Sequence, residues 1–303
     1  MKFVDFHGSV HTDISLARFT TWRIGGPSDW MIMPSNMDDL DMVLAEIRRI
    51  RTPWFILGNG SNVLFSDNGF RGVIITLGTG FKRLSISGEM VQAGAGVMLN
   101  HLAQQTASAG LSGLEPLAGI PGTLGGAAAV NAGAFGSSLL DRCTVIKGID
   151  SSGIKRTYTN ILSDYRSRKF PADFIITELQ LKLTPDDPSR IHEQIFNYLE
   201  KRRSTQPLSE ASAGCTFKNP DSRGAGRLID ELGLKGFQNG RAMISTKHAN
   251  FIINTGEASS ADVIGLIEIV RRRVWEAFKV KLELEVIVLD EYGHFLDPGR
   301  DLE

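Results

Sequence analysis

Cys215 stands in a run of small residues, Ser209-Glu-Ala-Ser-Ala-Gly-Cys-Thr-Phe-Lys-Asn-Pro220, three positions before Lys218. A thiol in a loop beside a cation can be an accessible, proton-exchanging group; the simpler reading is a small buried hydrophobe. Glu283 and Glu285 lie two apart in Leu282-Glu-Leu-Glu-Val-Ile-Val-Leu289, whose alternation predicts a strand, so they should share one face. They fit a solvent-facing edge, or a carboxylate pair in which one partner stays protonated for acid–base work. Asp164-Tyr-Arg-Ser-Arg-Lys-Phe170 gathers three cations in four residues. It reads either as a solvated loop or as an anion clamp, with the Tyr165 phenol beside the bidentate Arg166 guanidinium. Gly58-Asn-Gly-Ser-Asn62 can turn successive backbone N–H groups toward one point and so bind a phosphate or pyrophosphate. Asn-Gly is also a common hairpin turn.

Other chemistries are disfavoured. The 58–62 turn lacks the third glycine and the following helix of a dinucleotide fingerprint. No Gly-Lys-Ser/Thr phosphate loop and no Gly-x-Ser-x-Gly elbow occurs. The six histidines show no metal-ligand spacing, and no metal site is expected. His248, beside Lys247, is the one histidine considered for a ligand contact, a solvated turn being the simpler alternative. Cys143, in Asp141-Arg-Cys-Thr-Val-Ile146, reads as packing.

These groups need a scaffold, and its centre is the stretch from Gly113 to Gly136. It holds seven glycines in 24 positions, one charge (Glu115), and the stiffening Pro116 and Pro121. Glycine is entropically costly, so this density implies positive φ or close approach of a ligand or second backbone. Leu114, Leu117, Ile120, Leu124, Val130 and Phe135 make it a buried, folded loop system rather than a polar linker. Around it, apolar spacing predicts a helix over 37–51 capped by Ser35 or Asn36, strands at 54–57 and 72–77, and a helix over 98–109 stopped by Gly110. A half-exposed strand follows at 174–183, then a helix from Pro188 with Ile191, Ile195, Tyr198 and Leu199 on one side. A short helix from Gly224, a turn into a strand at 247–254, and a long helix over 261–279 capped by Ser260 complete the chain. Thr20–Gly26 reads as an extended piece broken by glycines. Helix, strand and glycine-rich turn in succession indicate an α/β pattern, with a last boundary near residue 200.

At 303 residues the chain is long enough for two or three domains. A net charge of -1 gives no nucleic-acid or membrane footprint. Two cysteines build no disulfide framework, and no run reaches the ~18 apolar residues of a spanning helix. The start lacks a signal peptide's apolar core. A reduced, cytoplasmic protein is expected.

Taken together, the motifs resemble those of the UDP-N-acetylenolpyruvoylglucosamine reductases, flavoproteins of peptidoglycan synthesis. They occur in the family's order: Thr21-Trp-Arg-Ile-Gly-Gly26, Leu57-Gly-Asn-Gly-Ser-Asn62, Leu117-Ala-Gly-Ile-Pro-Gly-Thr-Leu-Gly-Gly126, Asn131-Ala-Gly-Ala-Phe-Gly136, Tyr165-Arg166, Ala213-Gly-Cys-Thr-Phe-Lys-Asn-Pro220, Lys247-His-Ala-Asn-Phe-Ile252 and Leu282-Glu-Leu-Glu-Val286. The spacing is that of the shorter members, without an extra substrate-domain insertion.

The resemblance implies an α+β protein: a two-part FAD-binding region of the vanillyl-alcohol-oxidase-like (PCMH-type) fold, at 1–80 and 81–200, and a C-terminal α/β substrate-binding domain at 201–303. Non-covalent FAD would lie against Gly58, Asn59, Gly60, Ser61 and Asn62, and against Gly119, Ile120, Pro121, Gly122, Thr123, Gly125, Gly126, Ala127, Asn131 and Gly133. NADPH would supply a hydride to flavin N5, which passes it to C3 of the enolpyruvyl sugar nucleotide. Arg166 and Glu285 would stabilise the enolate-like charge, and Cys215 would protonate C2. Tyr165, Arg203, Gln206, Lys218, Asn219 and His248 would hold the substrate. Position 215 is Ser in many members; a thiol of ordinary pKa ~8.5 is chemically suited to giving a proton, so Cys215 is expected to keep the role. The usual Glu-Pro-Glu-Val reads Glu283-Leu-Glu-Val286 here, leaving Glu285 in register. The alternatives are a flavin-dependent oxidase of the same fold and a non-catalytic flavin- or nucleotide-binding protein. A monomer without nucleic-acid or membrane partners is expected.

Overall fold

The computed structural model describes residues 1–303 except 2, 160, 162–169, 172, 221–222 and 301–303. The chain forms two compact units, each assembled from separated stretches: Met1–His11, Met31–Asn59 and Val73–Arg202 in the first, Thr12–Trp30, Gly60–Gly72 and Arg203–Glu303 in the second.

In the first unit, helix α1 (Met37–Ile50) starts where Asn36 accepts the Asp39 N–H at 2.9 Å. Of the two candidate caps, Asn36 is the one used. The helix buries Leu40, Val43, Leu44 and Ile47, and ends at Arg51 in the left-handed region. The strand Trp54–Ile56 follows and pairs in parallel with Val73–Ile75 of the strand Phe70–Ile75. A five-stranded antiparallel sheet has the spatial order Lys155–Thr159, Cys143–Ile149, Ile175–Lys182, Met90–Gly94, Leu84–Ser87. Alternation along Ile175–Lys182 separates its faces. Leu179 and Leu181 are fully buried, while Glu178 faces out to Lys147 at 2.8 Å. The apolar face meets α2 (Leu99–Ser108), α3 (Leu124–Ala129) and Ile191 and Ile195 of α4 (Pro188–Thr205) in one core.

The second unit has its own core, in which α6 (Ser260–Phe278) lays Val263, Leu266, Ile267, Val270 and Val274 against a small antiparallel sheet and α5 (Ala225–Glu231). That sheet runs Ala211–Ser212, Ile252–Asn254, Ala242–Ile244, Gln238–Asn239. Ser259, not Ser260, caps α6, because Asp262 stands three residues after Ser259 and closes a reciprocal capping box. Ser260 instead bonds the Asp67 carboxylate through both its N–H and its hydroxyl. A second sheet joins Ile287–Leu289 in parallel to Val63–Phe65.

Two further expectations are corrected. Thr20–Arg23 is a turn, closed by Arg23 N–H to the Thr20 carbonyl at 3.1 Å with Arg23 at φ +58°, rather than an extended piece. Its Trp22 is fully buried, the indole donating to the Ile252 carbonyl at 2.7 Å. The strand expected over 282–289 is regular only at Ile287–Leu289. Before that, Leu284 makes a single bridge with Phe217, and the N–H groups of Glu285 and Val286 both aim at the Thr216 carbonyl, at 2.9 and 3.4 Å. Two residues against one acceptor is a bulge, which interrupts the ladder.

Candidate active site

The 58–62 turn begins where Leu57 N–H bonds the Ile75 carbonyl at 2.8 Å and Trp54–Ile56 ends. Gly58 is exposed, and a Cβ there would sit 2.6 Å from the Thr123 hydroxyl oxygen and 3.8 Å from the Gly126 Cα. Asn59 reaches the same strip, its amide 3.5 Å from the Pro121 carbonyl. Gly60 has φ +62°, and a Cβ there would lie 1.9 Å from the Phe19 carbonyl oxygen, so no other residue fits. Its own carbonyl accepts the Thr21 N–H at 3.0 Å. Among the described residues, no protein acceptor takes a hydrogen bond from the backbone N–H groups of 58–62.

The facing strip is built from the glycine-rich stretch. Leu124 N–H and Gly125 N–H bond the Val97 and Ala95 carbonyls, both at 2.8 Å, which pins α3 to the chain leaving the five-stranded sheet. Thr123 caps α3 by accepting the Gly126 N–H at 3.3 Å. Gly122 accepts from Leu99, Ile120 is half-buried, Ala127 is buried, and Pro121 and Gly126 are exposed. Gly119 lies against the Arg202 side chain, where a Cβ would come within 2.5 Å of Cδ. Asn131 is buried in the left-handed region, its Oδ1 accepting from Leu140, and Gly133 enters the hairpin Gly133–Ala134/Ser137–Ser138. Within the first unit, the available N–H donors of Gly58 and Asn59 lie beside a bare glycine–alanine backbone. Such a cradle suits a pyrophosphate attached to a flat apolar ring system, and FAD is such a molecule. The residues present fit it.

The second constellation surrounds Cys215. Gly214, at φ +77°, turns the chain, and Cys215 is half-exposed. From there the segment is held tightly. Thr216 N–H bonds the Asn250 carbonyl at 2.8 Å, and Phe217 exchanges two bonds with the Asn250 side chain, at 3.0 and 2.8 Å. Lys218 N–H bonds the Glu283 carbonyl at 2.8 Å and its ammonium pairs with the Glu283 carboxylate at 3.1 Å. Asn219 accepts the first N–H of α5 at 3.1 Å. Glu285 is half-buried; its N–H goes to Thr216 and its carbonyl accepts from the Asn62 side chain at 3.1 Å. Thus the 60–62 part of the turn, the Glu285 backbone and the Cys215 segment are tied together within the second unit. In this pairing the Leu284 N–H points away from 216–218, so the bonds are indifferent to the missing proline.

Glu283 and Glu285 have different surroundings. Glu283 is an exposed partner of Lys218, while Glu285 sits on the bulge. The two cysteines differ as well. Cys143 is buried, its Sγ 3.5 Å from the Leu139 carbonyl, and burial, with Asp141 adding, pushes its thiol up to about 12. His248 is half-buried, its Nδ1 accepts the Asn250 N–H at 3.2 Å, and its ring meets Phe251 edge-on. Burial, aided by the Lys235 charge, lowers its pKa and favours the neutral ring. Arg203 is exposed near the end of α4, its carbonyl bonded by the Lys247 ammonium, and Gln206 follows half-buried. Tyr165 and Arg166 lie outside the described residues. Among the described residues no cluster of His, Cys, Asp or Glu is placed to hold a metal.

Sequence reasoning passed over Asn250, the residue that fastens the Cys215 segment. The available signal was a lone amide in Ala249-Asn-Phe-Ile-Ile253, since a polar group among residues bound for a core must be satisfied there.

Comparison with known proteins adds to this geometry. Residues 28–157 match an FAD binding domain, and residues 206–289 match the UDP-N-acetylenolpyruvoylglucosamine reductase C-terminal domain. The UDP-N-acetylenolpyruvoylglucosamine reductase of Carboxydothermus hydrogenoformans is 44% identical over 279 residues, covering 91% of this chain and 92% of that protein. That of Bacillus subtilis is 38% identical over 288 residues, covering 93% and 94%. The crystal structure of the Thermus caldophilus UDP-N-acetylenolpyruvylglucosamine reductase superposes with a TM-score of 0.80 at 36% identity, covering 93% of this chain and 99% of that one.

Proposed function

The chain belongs to the UDP-N-acetylenolpyruvoylglucosamine reductase family, and from that premise we propose how its residues carry out the family's reaction. The protein is an FAD-dependent oxidoreductase of α+β fold, with a vanillyl-alcohol-oxidase-like FAD-binding region and a C-terminal reductase domain. It reduces UDP-N-acetylglucosamine enolpyruvate to UDP-N-acetylmuramate for peptidoglycan synthesis, with NADPH as co-substrate. Bound FAD supplies hydride carriage from NADPH to C3 of the enol ether.

The chain's own part is holding and protonation. The N–H groups of 58–62 hold the FAD pyrophosphate, and the 119–133 strip receives the rest of the cofactor. Cys215 gives a proton from Sγ to C2. Glu285 and Arg166 stabilise the charge that develops at C2 and in the substrate carboxylate. Removing one such stabiliser typically costs on the order of 10²–10³ in rate. Tyr165, Arg203, Gln206, Lys218, Asn219 and His248 hold the sugar nucleotide. The observation that supports these roles best is the Thr216 peptide. It joins the Cys215 segment to the Glu285 N–H at 2.9 Å, so proton donor and carboxylate share one rigid anchor. We further assign residues 1–80 and 81–200 to the two FAD-binding subdomains and 201–303 to substrate binding, and we place the protein in the cytoplasm as a monomer. No helix among the described residues is long and apolar enough to cross a membrane.

The test is an anaerobic NADPH titration of the purified yellow protein. Bleaching, then recovery of colour on adding UDP-N-acetylglucosamine enolpyruvate, is expected. Recovery with oxygen but not with that substrate would replace the reductase by an oxidase. Protein that neither carries nor takes up FAD would refute the assignment.

A further inference from the structure

We infer that Asn250 is a positioning residue for the protonation step: its buried amide sets where the Cys215 thiol stands relative to Glu285. Asn250 is 2% exposed. A primary amide that deep is costly unless its groups are matched, and here its polar groups are engaged. Oδ1 accepts the Phe217 N–H at 3.0 Å, and Nδ2 donates to the Phe217 carbonyl at 2.8 Å. The main-chain carbonyl accepts the Thr216 N–H at 2.8 Å, and the main-chain N–H donates to His248 Nδ1 at 3.2 Å. Three of these four bonds end on the two residues that directly follow Cys215.

The first of these two, Thr216, also carries Glu285. The Thr216 carbonyl accepts the Glu285 and Val286 N–H groups, and Lys218 N–H closes the pairing on the Glu283 carbonyl. The Thr216 peptide is therefore held from one edge by Asn250 and holds Glu285 from the other. Upstream, Ala211–Ser212 pairs with Ile253–Asn254 and Ala213 is 2% exposed, so the chain is held again two residues before the thiol, and Gly214 is the one link between. Gly214 is at φ +77°, and a Cβ there would find nothing within 4 Å. The thiol thus stands between the Asn250 clamp on its C-terminal side and, on its N-terminal side, one positive-φ glycine that joins it to the strand Ala211–Ser212. Taking the Asn250 side chain away leaves the Phe217 N–H and carbonyl buried without it, since Phe217 is 1% exposed. The segment then relaxes, and a displacement of about 1 Å at a reacting group can cost on the order of 10² in rate.

This inference rests on the proton role of Cys215, and the test separates the two. Stopped-flow measurements on flavin-loaded Asn250→Ala follow each half-reaction. Flavin reduction by NADPH should stay within about twofold of wild type, while reoxidation by the enolpyruvyl substrate slows by roughly 10–100-fold. Asn250→Asp keeps the acceptor for the Phe217 N–H and loses the donor to its carbonyl; it should slow the same half-reaction by less, and it serves if Asn250→Ala does not fold. Independently of turnover, iodoacetamide should label Cys215 faster in both variants, with Cys143 silent because it is buried and raised to about 12. Wild-type reoxidation and labelling in folded variants would overturn the positioning role. So would an equal fall of both half-reactions, which marks general damage. If Cys215→Ala turns over normally, the proton role is lost, yet faster labelling in the Asn250 variants still supports the clamp.

Discussion

The turn at 58–62 and the segment at 213–220 are both bent, glycine-containing loops, yet they are held in opposite ways. The first depends on atoms that are missing. Gly58 and Gly60 leave room that a single methyl would fill, at 2.6 Å from Thr123 and 1.9 Å from Phe19. The second depends on side chains that are present: the amides of Asn250 and Asn219 bond the backbone at 2.8 to 3.1 Å. The cofactor cradle should therefore be sensitive to additions, and the protonation site to deletions. A cradle for a large, rigid molecule has to keep its backbone bare. A site that delivers one proton has to fix one atom.

The sharpest way to break this contrast is at the thiol. Cys215→Ala should lower the rate of reoxidation by substrate by roughly 10²–10⁴ while flavin reduction and flavin content persist; near-normal turnover would remove the thiol from the reaction. Next comes the opposite kind of change in the other loop. Gly60→Ala forces a side chain onto a left-handed backbone against the Phe19 carbonyl, at a cost of roughly 1–3 kcal/mol before any clash is relieved. Weakened FAD affinity by equilibrium titration, with lower thermal stability, is expected. Wild-type affinity would show that the turn tolerates added atoms.

A smaller effect is set by pH. His248 has a pKa below its ordinary ~6.5 because it is buried, so on acidification the unfolded chain takes up that proton first. Stability present at neutral pH should then fall as pH drops through about 6.5. Unfolding followed between pH 8 and 5 should show this slope in the wild type and a flatter one in His248→Gln. The smallest effect tests the boundary of the deletion rule. The Thr216 hydroxyl is buried with no hydrogen-bond partner among the described residues, so Thr216→Val should be neutral or stabilising, by no more than about 1 kcal/mol in urea unfolding. A clear loss of stability would mean that the hydroxyl contributes after all.

Much of this was legible in the residues. Gly58 and Gly60 announced a bare turn, Pro116 and Pro121 excluded a long helix, and the spacing of Val263 to Val274 gave α6. What escaped has physical reasons. Leu124–Ala129 turns once as a helix, yet Leu-Gly-Gly-Ala-Ala-Ala has no apolar period and two poor helix formers. Alternation at 282–286 promised a ladder, but the partner offers one carbonyl to two N–H groups. Ser259 and Ser260 are adjacent and chemically equal as caps; the reciprocal bond from Asp262 chooses between them. Asn250 escaped because an amide's duty depends on its partner, here Phe217, far away along the chain. Local pattern reports local preference. The assembly of each unit from separated stretches of chain belongs to no window of sequence at all.

The strand Val63–Phe65 finds its parallel partner only at Ile287–Leu289. During synthesis it leaves the ribosome more than two hundred residues before that partner exists. At roughly 5–20 residues per second the delay is on the order of tens of seconds. Through that time Leu64 and Phe65, both fully enclosed in the finished protein, are apolar residues without their sheet. The newborn chain thus carries an adhesive segment at 63–65 until residues 287–289 are made, and any nascent-chain binding factor has a defined window in which to cover it.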